Sequence, residues 1–177
     1  MPTEYKSAKN SLKLYERIKL ETTPFAVTPK FVKLKAFSLI GYMYSDGYIP
    51  HYWNKYHSGK LSKKLSGGKS CADFGVSIWN HKMNKQDYFI GIRSDEALGD
   101  ISNTIKIKIS NGLYAVFTTP ESTQFDYVNT VHKTWNYIRS WSPENGYRCA
   151  NNYQFETRIE DSGIFSEDIY IPLKKIE

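Results

Sequence analysis

Glu156 lies in the run Tyr153-Gln154-Phe155-Glu156-Thr157-Arg158-Ile159-Glu160, whose alternation puts Phe155, Thr157 and Ile159 on one face of a strand and Glu156 on the other. A carboxylate set among aromatic rings can hold a cation, because Coulomb attraction acts on the charge while the rings add dispersion and cation-π attraction. Spacing alone fits a second arrangement equally, a solvated carboxylate paired with Arg158 or with a neighbouring strand. The pattern recurs upstream, where Phe74, Val76 and Ile78 alternate with Gly75, Ser77 and Trp79. Each of these strands precedes a short turn and another apolar strand, so the chain reads as a duplicated module. Two copies of an amphipathic sheet create a cleft between them, where an acid and exposed aromatics can meet a ligand.

Other chemistries find little support. Cys71 and Cys149 are isolated, and His51, His57, His81 and His132 form no compact ligand motif, so neither a metal site nor a disulfide framework is expected. Ser66-Gly67-Gly68-Lys69 lacks the spacing of a phosphate-binding loop and reads as a flexible connection. No cofactor and no catalytic residue is assigned, and the chain is expected not to be an enzyme. The 24 basic and 18 acidic residues give a net charge of +6, with most of the excess before residue 70. A solvated basic face accounts for that excess, and without a recognition helix or zinc-finger spacing the chain is a poor reader of DNA sequence. No apolar run approaches the roughly 20 residues of a membrane span, which points to a cytoplasmic protein with free thiols.

Ser11 to Ile18 has a short helical pattern, and Thr22-Thr23-Pro24 and Thr28-Pro29 punctuate a linker, so the folded body is expected from Phe31. Val32 to Tyr44 is rich in β-formers. Pro50 then opens a helix near 50 to 65, on which Ile49, Trp53, Tyr56, Leu61 and Leu65 recur at helical spacing. Strands at about 73 to 80 and 87 to 94 complete a βαββ unit. Ile105, Ile107 and Ile109 alternate before an Asn111-Gly112 turn, and a further strand follows through Phe117. Phe125, Val128, Val131, Trp135 and Ile138 mark a helix near 123 to 141, and strands near 153 to 160 and 168 to 174 finish the second unit. The halves are about 31–98 and 104–177. Trp53 and Trp135 fall on apolar helical stripes and are expected in the core.

The chain resembles the gyrase-inhibitor-like (GyrI-like) effector-binding domain, a small-molecule module found alone or attached to bacterial transcription regulators. The residues that carry the resemblance are Ile49-Pro50 with Trp53, Asp73-Phe74-Gly75-Val76, Gly112 to Phe117, Trp141-Ser142-Pro143 with Gly146-Tyr147, and Phe155-Glu156 followed by Asp168 to Leu173. It implies an α+β fold of two βαββ halves with pseudo-twofold symmetry, antiparallel sheets with helices on one face, and a ligand groove between the halves. Met1-Pro2-Thr3-Glu4-Tyr5-Lys6 is similar to the close of an AraC-type DNA-binding domain. Residues 1–30 are therefore expected to be a linker with a remnant of an upstream DNA-binding domain, and residues 31–177 the effector domain.

The same resemblance places the family's groove acid at Glu156 and implies a hydrophobic, cationic ligand. Trp79, Phe89 and Tyr170 are expected to share the Glu156 side of the sheet, off the helix-covered face, with Tyr42 joining them. Contact with DNA would come only through a domain outside this chain, and no membrane partner is expected. Two alternatives stand beside this sensor. One is a hydrolase of strained cyclopropane compounds, with Glu156 as acid/base and Tyr170 as its hydrogen-bond partner; the other is a standalone drug- or protein-binding module.

Overall fold

The computed structural model describes residues 25–144 and 146–177. The opening segment, with its regulator-like first six residues and short helical pattern, lies outside the described residues. Among those described, ten strands and three α-helices follow in the order β1 (Lys30–Leu34), β2 (Phe37–Tyr44), α1 (Ile49–Ser58), α2 (Leu61–Ser66), β3 (Phe74–Asn80), β4 (Lys85–Arg93), β5 (Ile105–Ile109), β6 (Gly112–Thr118), β7 (Ser122–Thr123), α3 (Tyr127–Ser140), β8 (Tyr147–Cys149), β9 (Phe155–Asp161) and β10 (Ile164–Lys175).

One antiparallel sheet carries the strands in the order β1-β6-β10-β9-β3-β4-β2-β5, with β7 and β8 added along β10. The two βαββ halves meet where β3 pairs with β9. Each half takes its outermost strand from the other. β1 leads into β2 through Lys35 and Ala36 yet pairs with β6, while β5 leads into β6 through Ser110 and Asn111 yet pairs with β2. The Asn111-Gly112 turn is therefore no hairpin; it hands the chain from one half to the other. Two short links tie the opposite ends of the sheet together, and a twisted sheet held this way must curl.

Curling explains where the core lies. Leu39, Phe74, Val76, Phe89, Ile109, Tyr114, Val116 and Phe155 are buried in a single cluster inside the curl. Rings meet across it from strands that are not neighbours in the sheet. Phe37 of β2 approaches Phe155 of β9 at 5.8 Å between centroids, edge to face, and Tyr114 of β6 approaches Phe155 at 5.7 Å. The sheet buries this face against itself, so it needs no helices.

The helices cover the opposite face. α1 and α2 pack on Tyr88, Ile90 and Ile92, and α3 packs with Ala115, Phe117, Ile169, Ile171 and Leu173. The single helix expected over 50 to 65 is broken at Gly59 and Lys60, where Lys60 adopts φ 51° and the helix restarts. Pro50 sits in the first turn, where its missing N–H is no loss. The second helix begins at Tyr127 rather than 123, because Ser122 and Thr123 pair with β10.

Phe155 is the ring on which the interior converges, stacked at 4.4 Å on Tyr170 and in contact with Phe37, Phe74 and Tyr114. Phe155→Ala is expected to cost about 3–5 kcal/mol of folding free energy in urea denaturation, whereas Ile159→Ala, four residues along and exposed, stays within about 0.5 kcal/mol.

Candidate ligand-binding site

Register fixes which side chains share a face. Gly75 lies opposite both Glu156 and Ile90, and Ser77 lies opposite Tyr88, so Glu156, Tyr88, Arg158 and Glu167 project to the helix side of the sheet. There they form the floor of a cavity of about 930 Å³ whose walls are α1, through Pro50, Trp53 and Asn54, and α3, through Tyr127, Val131 and Trp135. The cavity therefore straddles the seam between the two halves.

Glu156 is only 6% exposed, and its carboxyl is held from both halves. The Tyr88 hydroxyl donates to Oε1. The Trp135 indole N–H donates to Oε2 at 3.1 Å, and on the other side the Trp53 indole N–H donates to the Tyr88 hydroxyl oxygen at 3.1 Å. The two tryptophans occupy corresponding places on α1 and α3 and converge on one carboxyl, one directly and one through Tyr88. Gly75 makes this possible, since a Cβ at that position would overlap the Tyr88 hydroxyl. Burial pushes the Glu156 carboxyl above its ordinary pKa, against the two hydrogen bonds that pull it down.

A second acid stands on the next strand. Glu167 of β10 is 4% exposed; Tyr127 donates to its Oε1, and its Oε2 has no hydrogen-bond partner among the described residues. Its backbone is pinned to Thr119 by a pair of 2.8 Å hydrogen bonds. Burial first, and the Glu156 charge second, push the Glu167 carboxyl well above its usual range. Arg158 is its direct cross-strand neighbour, but the guanidinium lies over the rings of Phe165 and Tyr127, at 4.7 and 5.0 Å from their centroids. Its NH1 donates at 3.1 Å to Nε2 of His57, whose pKa is pushed down by burial and then by the arginine charge.

The aromatic residues expected beside Glu156 separate. Trp79 and Tyr42 do share its face, lying opposite Gln86 and Ile90. Trp79, however, is 52% exposed at the far end of β3 and outside the cavity lining, and Tyr42 packs against the α1–α2 cluster. Phe89 and Tyr170 face the other way. Phe89 lies opposite Val76 and Tyr170 opposite Phe155, so both belong to the interior of the curl, and Tyr170 cannot be the hydrogen-bond partner of Glu156. The difference arises because the apolar face of β3 and β9, with Phe74, Val76 and Phe155, closes on the interior of the curl and not under the helices. Trp53 and Trp135, expected in the core, line the cavity instead, together with Trp141. The signal that could have found the two tryptophans is chemical: an indole N–H on a buried stripe needs an acceptor, and the duplicated helices offer two such groups to one carboxylate.

The sequence from residue 28 to 174 matches the model of the GyrI-like small-molecule-binding domain. The chain belongs to that family. Three solved structures are similar in fold. A putative bacterial transcription regulation protein from Staphylococcus aureus MU50 has a TM-score of 0.61 at 17% identity, covering 84% of this chain and 99% of its own. SAV2435 bound to tetraphenylphosphonium has a TM-score of 0.59 at 18% identity, covering 82% and 93%. EcmrR, solved in complex with DNA, has a TM-score of 0.61 at 14% identity, covering 98% of this chain and 67% of its own. No curated protein matches the sequence. No helix among the described residues is long and apolar enough to cross a membrane.

The sign of the pH dependence follows from Glu167. A carboxyl whose pKa is raised in the folded state binds more protons there than in the unfolded chain, so its contribution to stability is lost as pH rises above about 4.5. Glu167→Gln is therefore expected to gain thermal stability relative to the wild type progressively between about pH 4.5 and 8, roughly 2–4 °C for each kcal/mol. Melting temperatures of both proteins across that range check it; a constant difference would mean that Glu167 is not held protonated by burial.

Proposed function

We propose that this GyrI-like domain is the effector-binding part of a bacterial transcription regulator acting in the cytoplasm, and that it binds lipophilic cations in the cavity between α1 and α3 with Glu156 as counterion. The observation that carries the reading is the Glu156 carboxyl, buried in the floor of that cavity with Tyr88 and Trp135 orienting it. In a dry, aromatic site a carboxylate and a cation attract each other far more strongly than in water, and the indole walls supply dispersion and cation-π contact. Support for the ligand class comes from the tetraphenylphosphonium complex of SAV2435, and support for the regulatory setting from the DNA complex of EcmrR. Each Glu156 oxygen already accepts a hydrogen bond from a fixed ring donor, which favours an oriented counterion over a group that transfers protons.

A hydrolase reading draws on one observation, the second buried acid at Glu167 beside Glu156. Mass spectrometry of a cyclopropane-bearing aromatic compound after incubation separates the two. Unchanged compound accords with the binding role, and a water adduct accords with hydrolysis.

Glu156→Gln is expected to weaken tetraphenylphosphonium binding by roughly 1.5–3 kcal/mol, on the order of ten- to a hundredfold in Kd, while neutral triphenylphosphine oxide changes little. Isothermal titration reads both; equal losses for the two ligands would mean that the charge of Glu156 plays no part.

Tryptophan fluorescence offers a separate check, since Trp53 and Trp135 wall the cavity and Trp79 stands outside it. Tetraphenylphosphonium is expected to quench the emission of the wild type and of Trp79→Phe equally, and to quench Trp53→Phe and Trp135→Phe less. Loss of quenching in Trp79→Phe alone would place the ligand elsewhere.

A further inference from the structure

We infer that Glu167 is a second ligand anchor, which makes the cavity selective for cations bearing N–H groups, such as aryl-alkyl ammonium, amidinium or guanidinium compounds, over quaternary ones. The inference rests on the cation-binding reading above and specifies the ligand class within it.

The two carboxyls offer a ligand different things. Glu156 already accepts one hydrogen bond at each oxygen, so it serves mainly as an oriented charge. Glu167 lines the cavity and accepts from Tyr127 at Oε1, whereas its Oε2 is buried with no donor among the described residues; a cation entering beside it favours the ionised carboxylate over the protonated form that burial favours. An unpaired buried acceptor is unfavourable, and a ligand that supplies a donor removes that penalty on binding. The nearest protein cation cannot take this role as placed. Arg158 is directly across the strand from Glu167, yet Phe165, Tyr127 and His57 hold its guanidinium away, and no salt bridge joins the two among the described residues. Glu156 and Glu167 sit on adjacent strands and on the same face, offset by two residues in register, so the head of one ligand lies between them.

Chemistry then separates ligand classes. A quaternary cation has no hydrogen to donate and leaves Oε2 unpaired. A primary ammonium costs more to take out of water, so a pocket lacking a free acceptor prefers the quaternary form. A pocket with Glu167 as described reverses that order.

The test uses a matched pair, 3,3-diphenylpropylammonium and its N,N,N-trimethyl analogue, titrated calorimetrically at pH 8 against wild type and Glu167→Gln, with tetraphenylphosphonium as the probe without N–H groups. The wild type is expected to bind the primary ammonium about tenfold more tightly than the trimethyl compound, the scale of one hydrogen bond to a charged group. Glu167→Gln is expected to bring the two to within about twofold or to invert them. Equal affinities or a trimethyl preference in the wild type overturns the assignment, as does a tenfold preference that survives in Glu167→Gln. The wild-type comparison needs no variant, and Tyr127→Phe, which frees Oε1 as well, is expected to widen the ammonium preference; a narrowed preference counts against Glu167. If tetraphenylphosphonium binds while the ammonium preference is missing, the Glu167 assignment falls and the cation site stands. If none of the three cations binds, both fall.

Discussion

A carboxyl group buried at the seam of a protein has to be satisfied by donors fixed in place, and in this chain the satisfaction of Glu156 organises the parts around it. The first half contributes Tyr88 from β4, backed by Trp53 from α1; the second contributes Trp135 from α3. Each donor comes from a different element, so the carboxyl is correctly held only when both halves are folded and docked. Its burial opposes ionisation, which the proposed cation would favour.

The curled sheet makes this arrangement affordable in structural terms. Because β1 and β5 cross to the far half, the apolar side of the sheet closes on itself around Phe155 and leaves the helices free of core duty at the seam. α1 and α3 anchor on the outer parts of their own halves, through Tyr52 and Tyr56 on one side and Ile138 on the other, and stand apart over β3 and β9. The gap between them is the cavity.

Much of this was legible in the residues. The duplicated βαββ order, the position of Glu156 on the polar side of its strand and the two helices follow from alternation and helical spacing, and the structure contains them. What periodicity could not say was which face the helices cover, because a period of two labels faces as like or unlike and leaves open what packs on each. Phe89 and Tyr170 were misplaced for that reason. The strand crossings were hidden too, since Asn111-Gly112 has the composition of a hairpin turn while its partners are set by long-range pairing. Glu167 escaped because the last strand starts at Ile164, four residues before the expected boundary; on that longer strand it continues the stripe of Ile169, Ile171 and Leu173, where an acid among apolar side chains marks a site.

Gly75 and Glu156 are cross-strand partners and also hold corresponding places in the two repeats, Phe74-Gly75-Val76 against Phe155-Glu156-Thr157. They therefore lie on the pseudo-twofold axis. Two identical, separate copies would be obliged to put the same residue at both positions, giving either a pair of opposed carboxylates or no acid at all. Joining the copies in one chain lifts that obligation: one side keeps the charge, and the other becomes the space into which Tyr88 reaches. Asymmetry at a single pair of positions thus lets a symmetric scaffold present one central carboxyl in each chain.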